Sequence, residues 1–194
     1  MGNSSSDIVL FGGTDVNGEH NWSSNKSGEQ DIISGDEILS DSYPMKEIDG
    51  VVYECDCKMI TEELVQVNTG ANASAEEASE ALDDQAITVN NIVHSFRLQP
   101  TSFDKKTYLS YLKSYMKNVK AKMMENGADG ATITDFEKKA QGYAKKIIAN
   151  FKDYEFYVGE SMNIDGMAVL LNYREDGTTP YVTVWKHGLS EMKV

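Results

Sequence analysis

Thiols, imidazoles and the signature loops of common enzymes are scarce in this chain, and each scarcity removes a class of chemistry. With 2 cysteines and 3 histidines, and a C-x-C rather than a C-x2-C spacing, it lacks the four Cys/His ligands of an ordinary structural zinc site. No Gly-rich phosphate loop, G-x-S-x-G elbow or H-E-x-x-H stretch occurs, so the familiar nucleotide, acyl-transfer and zinc-protease motifs are missing. No apolar run approaches the ~20 residues that a membrane-spanning helix needs. The opening MGNSSSDIVLFGG has neither the basic n-region nor the apolar length of a secretory signal. A cytoplasmic protein is therefore expected, in which the sequons at Asn3, Asn21, Asn25 and Asn72 carry no glycan.

What is present reads as a soluble globular protein, 40% hydrophobic and 25% charged over 194 residues, with room for one sizeable core. Its formal charge of −13 is unevenly spread. Residues 104–152 hold 11 Lys, no Arg and 5 acidic residues, a net of +6 that leaves −19 on the remainder. A basic arm on an acidic body favours acidic partners at the arm, such as tubulin tails or ribosomal RNA, and basic partners at the body. The plainer alternative is a solvated lysine face on a surface helix. Without Arg and exposed aromatic interleaving, the arm does not read as a sequence-specific nucleic-acid binder.

Along the chain, residues 1–30 are rich in Ser, Gly and Asn and read as a mostly disordered leader. Val51 to Ile60 alternate with period two, which predicts one half-buried strand carrying Val51, Tyr53, Cys55, Cys57 and Met59 on a single face. A short strand at Leu64 to Val67 and then a mobile acidic loop, about 68–86, follow. Ile87 to Leu98 resumes strand character, with His94 on the inner side as a core or groove histidine. Ser102 is placed to cap a helix whose inner face carries Tyr108, Leu112, Tyr115, Val119 and Met123. ENGADGA breaks it, and Thr134-Asp135-Phe136-Glu137 fits a capping box for a second helix with Phe136, Ala140, Tyr143 and Ile147 inward. Strands return at Tyr154–Val158, Met167–Tyr173 and Tyr181–Trp185, the last two joined by a turn at Glu175-Asp176-Gly177. The expected class is α+β, with a helical hairpin at about 103–150 inserted between strands.

Cys55 and Cys57 lie two apart on one strand face, which makes them buried structural thiols and argues against a disulfide between them. Redox chemistry would require a lowered thiol pKa for which the sequence offers no cation or helix terminus. The acidic pairs Asp36-Glu37, Glu62-Glu63, Glu76-Glu77 and Asp83-Asp84 offer oxygen ligands for weak Ca2+ binding but lack EF-hand spacing, so the metal ligands are unknown. His187, just past Trp185, is placed at a strand end. Met1-Gly2-Asn3-Ser4-Ser5-Ser6 fits an N-myristoylation pattern at Gly2, although one acyl chain without a basic cluster anchors only marginally.

Several long stretches resemble the translationally controlled tumour protein family. DIISGDEILSDSY (31–43) is similar to its N-terminal signature and TGANASAEEA (69–78) to its first motif. FKDYEFYVGESMNIDGMAVLLNY (151–173) is similar to its second motif, and REDGTTPYVTVWKHGL (174–189) to its C-terminal hairpin. The resemblance spans 31–194 as a single domain. It implies a β-tent body of small sheets, Mss4-like and similar also to methionine sulfoxide reductase B, with a projecting helical hairpin. It further implies a monomeric, non-enzymatic cytoplasmic protein associated with the cytoskeleton. The partners implied are tubulin and microtubules, the translation machinery and a small Rheb-like GTPase for which it acts as exchange factor or chaperone; weak Ca2+ binding is also implied, and no cofactor is required. Membrane contact would require a lipid on Gly2.

Carried onto this chain, the family's Asp-Glu pair falls on Asp36 and Glu37, the GTPase-facing acids. Recognition-motif positions fall on Asn72, Ser74, Glu76, Gly159 and Glu160. The basic arm comprises Lys113, Lys117, Lys120, Lys122, Lys138, Lys139, Lys145 and Lys146. A structural role, as loop or capping acid, competes with the functional one at Glu37. The fold likeness also raises a methionine sulfoxide reductase-like thiol enzyme as the rival function, resting on Cys55 and Cys57. One departure stands out: the family's first strand ends immediately before Asp31, whereas SGEQ stands there in this chain. Loss of the strand, its replacement by Ile8–Phe11, and a leader arising from splicing or a gene-model error are the three expectations.

Overall fold

The computed structural model describes residues 27–62 and 87–193. Among these, antiparallel strands form three sheets and two long helices complete the same hydrophobic core, an α+β architecture with the helical pair inserted between strands. Strands β1 (Ser27–Asp31) and β2 (Glu37–Ser40) join β11 (Leu189–Lys193) in a three-stranded sheet. Six strands form the main sheet in the order β3 (Met45–Ile48), β4 (Val52–Asp56), β10 (Pro180–Trp185), β9 (Val169–Tyr173), β8 (Glu155–Val158) and β7 (Gln99–Thr101). Strands β5 (Met59–Glu62) and β6 (Ile87–Asn90) pair separately. Strand β10 lies between β4 and β9, and it buries Val182, Thr183, Val184 and Trp185 in succession, the unbroken pattern of a strand covered on both faces. Its turn from β9 is built by Asp176, which accepts from the Thr178 and Thr179 amides at 2.8 Å, with Gly177 at φ +69°.

The helices α2 (Lys105–Glu125) and α3 (Gly130–Ala149) bury the faces that the 3.6-residue period predicts, Tyr108, Leu112, Tyr115, Val119 and Met123 on one, Phe136, Ala140, Tyr143 and Ile147 on the other. Ring contacts fix the pair to the body. Tyr108 packs on Phe103, Phe151 and Phe156, and Tyr143 meets Trp185 edge-on at 5.9 Å.

Their starts differ from the expected ones. Asp104, not Ser102, caps α2 by accepting from the Thr107 amide at 2.8 Å. Asp129 caps α3 through the Thr132 amide at 2.7 Å. Thr134 is inside that helix, where its hydroxyl donates to the Gly130 carbonyl. In both helices a carboxylate standing immediately before the first helical residue reaches the third helical amide and favours the helix N-terminus, whereas Ser102 lies too early and Thr134 too late to do so.

Three strand expectations are also corrected. The run from 51 to 60 is two strands in different sheets, so Met59 is exposed while Cys55 and Cys57 are buried. The run from 87 to 98 turns after Asn90, whose side chain accepts from the Ile92 and Val93 amides and starts a short helix, α1 (Asn91–Ser95). His94 therefore sits exposed on α1 rather than in the core. The segment SGEQ, assigned to the leader, forms β1 itself, so the strand before Asp31 is neither lost nor in need of substitution. The possible strand at 64–67 and the loop at 68–86 lie outside the described residues, as does Ile8–Phe11.

Candidate functional site

The turn between β1 and β2 is organised by Asp31, a fully buried carboxylate. One oxygen accepts from the Ser34 amide at 2.9 Å, the Ser34 hydroxyl at 2.7 Å and the Met167 amide at 3.0 Å; the other accepts from the Tyr115 hydroxyl at 2.9 Å. Burying a carboxylate is tolerable only when donors replace its water, and here they come from three separate parts of the chain. Neighbouring Tyr111 donates to the Gly166 carbonyl at 2.6 Å and accepts from the Ala168 amide at 2.7 Å. Burial pushes the hydroxyls of Tyr111 and Tyr115 well above the ordinary tyrosine pKa, so both remain protonated donors.

This turn, with Gly35 at φ +78°, delivers Asp36 to the segment that follows β8. Its carboxylate accepts from the Ser161 hydroxyl at 2.6 Å and the Ser161 amide at 3.3 Å. Gly159 lies directly beneath, and a Cβ there would overlap the Asp36 carboxylate. The requirement for glycine is thus one of close approach. Asp36 and Gly159, from two motifs far apart in sequence, are brought together.

Glu37 next to them is exposed, its carboxylate lying over β1, where a Cβ on Gly28 would come within 2.9 Å of Oε1. It makes no side-chain hydrogen bond or ion pair among the described residues. Glu160 pairs with Arg97 at 2.8 Å, both of them exposed, and this raises the guanidinium pKa further. Arg97 itself adopts φ +50°, an unusual backbone state for a non-glycine residue. Beyond Glu160 the loop exposes Met162 and Ile164, by 59% and 82%. Chemically this is a set of anchored carboxylates beside an apolar loop, suited to contact. Asn72, Ser74, Glu76 and Gly2 lie outside the described residues.

Sequence reasoning missed Asp31, Ser161, Arg97 and the two tyrosines. Asp31 opens the quoted signature, yet its burial depends on donors far along the chain, and Arg97 has no local signal at all.

Four of the eight lysines named for the basic arm are engaged with carboxylates. Lys120 pairs with Glu137 at 2.5 Å, Lys122 with Glu125 at 2.9 Å, Lys139 with Asp135 at 2.6 Å, and Lys146 with Asp49. Lys113, Lys117, Lys138 and Lys145 make no ion pair among the described residues. Exposed pairs of this kind hold charge loosely.

The cysteines are free and buried. Burial first, then the neighbouring Cys57, push the Cys55 thiol up to about 12, and burial raises Cys57 too, the opposite of what a nucleophilic thiolate needs. Nothing here points to a thiol enzyme. Among the described residues no group of three or more His, Cys, Asp or Glu side chains is arranged to hold a metal ion.

Comparison with known proteins places these motifs in context. Residues 30–190 match the family described as "Translationally controlled tumour protein". A homologue from Neurospora crassa is 68% identical over 165 residues, covering 84% of this chain and 97% of that protein. One from Candida albicans is 58% identical over 165 residues, covering 85% and 98%. The solved structure of the Schizosaccharomyces pombe protein superposes with a TM-score of 0.73 at 54% identity, covering 87% of this chain and 99% of that one. The Caenorhabditis elegans structure does so at 0.65 and 32%, covering 87% and 98%.

Proposed function

The chain belongs to the translationally controlled tumour protein family, and from that premise we propose that it is a non-enzymatic cytoplasmic interaction protein linked to protein synthesis and growth. Its helical hairpin docks acidic partners, microtubules and translation components among them, and associates the protein with the cytoskeleton as a monomer. The observation that carries this reading is segregated charge: 11 Lys against 5 acidic residues in 104–152, in a chain of net charge −13. Lys113, Lys117 and Lys138 are exposed on that hairpin. Attraction between such a face and carboxylate-rich tails acts over roughly 8–10 Å at physiological salt, so binding should weaken as salt rises.

Co-sedimentation with microtubules at low and high salt tests it. The triple variant Lys113→Glu, Lys117→Glu, Lys138→Glu is expected to stay in the supernatant; pelleting equal to wild type would remove the arm from the reading.

A second reading rests on Glu37, an exposed carboxylate with no described side-chain partner, steadied by the Asp36–Ser161 contact. Facing a small Rheb-like GTPase, it would compete for the nucleotide-site lysine or Mg2+ and loosen the nucleotide without covalent chemistry. Glu37→Val should then reduce stimulated nucleotide release to the intrinsic rate, and an unchanged rate would exclude this role. Weak Ca2+ binding fits the acidic body as a diffuse property rather than a formed site among the described residues. Membrane contact enters only with a lipid on Gly2, which intact mass of protein from its native cell decides.

A further inference from the structure

Beside its core face each long helix carries a row of partly covered apolar side chains that shares its floor with the core. Leu109, Leu112 and Met116 on α2 and Ala140, Ala144 and Ile148 on α3 recur at three- and four-residue spacing and line an open groove of about 760 Å3 between the helices. The floor is deep: Leu112 is 4% exposed, Phe136 2% and Ala140 5%. The walls are not covered, for Leu109 is 38% exposed and Met116, Ala144 and Ile148 are half-buried. Lys113, Lys117 and Lys120 rim one side and Lys145 the other. Glu137 is the one acidic side chain in the lining, and it is occupied by Lys120.

We propose that this groove receives an acidic amphipathic helix from a partner protein, its apolar stripe seated on the floor and its flanking carboxylates meeting the lysine rim. The inference rests on the arm-docking reading above and specifies the partner's chemistry. Three features of the groove select this occupant. A trough between two antiparallel helices, ridged at helical spacing, accepts the ridges of a third helix. The rim charge calls for acidic flanks. A wholly polar acidic tail would leave the apolar floor wet, so it would use the lysines and forgo the burial that supplies most of the affinity. A second copy of this chain would bring the same lysines into apposition, and a flat lipid surface would not reach Leu112, Phe136 and Ala140.

The test uses the full chain and two labelled 20-residue peptides of equal negative charge, followed by fluorescence anisotropy. In one, Leu recurs at i, i+3, i+4 and i+7 among Glu and Ala; in the other, the same residues are permuted to abolish the stripe. The amphipathic peptide is expected to bind at least about tenfold more tightly, the free-energy scale of one well-buried apolar side chain. Met116→Asn and, independently, Ala144→Gln, which add no charge to the rim, should erase that preference while leaving the permuted peptide's salt-sensitive binding intact. Both variants sit at the groove wall, and unchanged circular dichroism and melting would show that the hairpin persists. Equal binding of the two peptides, or indifference to both substitutions, overturns the groove inference while leaving the charged arm standing. Failure of both peptides to bind removes the arm reading itself. A concentration-dependent dimer, or binding to anionic phosphatidylserine vesicles, that either substitution abolishes would reassign the groove to a second copy or a membrane and overturn the proposal.

Discussion

Replacing Tyr115 by Phe removes one oxygen from the centre of the molecule and tests whether the buried Asp31 depends on its full set of donors. The hydroxyl is the donor to one oxygen of a carboxylate with 0% exposure, whereas the other oxygen keeps Ser34 and Met167. Loss of a hydrogen bond to a buried charged group costs about 1.5–3 kcal/mol. For a chain of 194 residues each kcal/mol lowers the melting temperature by roughly 2–4 °C, so a fall of about 3–12 °C is expected in thermal melts, with a lower urea midpoint at unchanged slope.

The same site supplies an internal control. A Cβ on Gly188 would overlap the Tyr115 hydroxyl, so Gly188→Ala should be strongly destabilising alone and distinctly less so in the Tyr115→Phe background, where the oxygen is gone. Met167 would still crowd that Cβ at 2.8 Å, so relief is partial. A Tyr115→Phe change within ~0.5 kcal/mol of wild type, or strict additivity with Gly188→Ala, would refute the view that this carboxylate organises the β1–β2 turn, because coupled neighbours must show an interaction energy.

Four other expectations follow from the same geometry. Gly159→Ala should break the Asp36–Ser161 contact and destabilise by about 1–3 kcal/mol, since a Cβ has no room beside Asp36; a neutral result in urea titration would mean the loop accommodates it. Burial, then Lys186, lowers the His187 pKa below 6.5, with Lys139 opposing and Glu47 and Asp135 favouring its charged form. The unfolded chain therefore takes up a proton that the native state resists, and stability should decline as pH falls from about 6.5 through the native value; His187→Gln should flatten that part of the profile. Burial, together with Glu191 and Asp41, raises the Glu29 pKa above 4.5, and Glu29 stands directly opposite Glu191 in register. The native state then binds the proton more tightly, so stability falls as pH rises through that window, and Glu29→Gln should stabilise by ~0.2–1 kcal/mol at neutral pH with the difference vanishing in acid. With its pKa pushed up to about 12, Cys55 should resist iodoacetamide at pH 8 in the native protein and react in urea; rapid native alkylation would reopen thiol chemistry.

The parts of the fold that could be read from the chain are those whose signal repeats locally. Nine core positions, five on α2 and four on α3, recur at three and four residues, a pattern that chance rarely sustains; Ile133, buried just before the expected helix start at Thr134, was not among them. The β9–β10 turn was equally plain because Asp-Gly carries its own geometry. What failed was short or non-local. The alternation through Ile92, His94, Phe96 and Leu98 was overridden by one asparagine side chain bonding two amides. Strand β1 has no apolar side chain to announce it; its pairing to β2 and β11 decides its conformation, and Gly28 leaves space for Glu37. Asp31 and Asp36 looked alike in sequence, yet one is a sealed acceptor and the other a surface latch, a difference fixed by residues more than a hundred positions away.

The helical hairpin shows why charge alone is an incomplete description of the arm. Half of its eight named lysines are engaged with nearby carboxylates, so polarity by itself would give a modest, salt-sensitive attraction. The inner stripe, tied down by Tyr108, Tyr115 and Tyr143, holds the helices at fixed separation, so the outer groove exists before any partner arrives and little ordering cost falls on binding. Loosening the tyrosine contacts that face the body should therefore weaken docking in a groove whose lining does not include those tyrosines. Tyr143→Leu, which keeps an apolar body but loses the edge contact with Trp185, is expected to leave the lysines in place and still reduce binding of the amphipathic peptide more than that of its permuted counterpart. Equal losses for the two peptides would mean that the groove's shape contributes nothing beyond its charge.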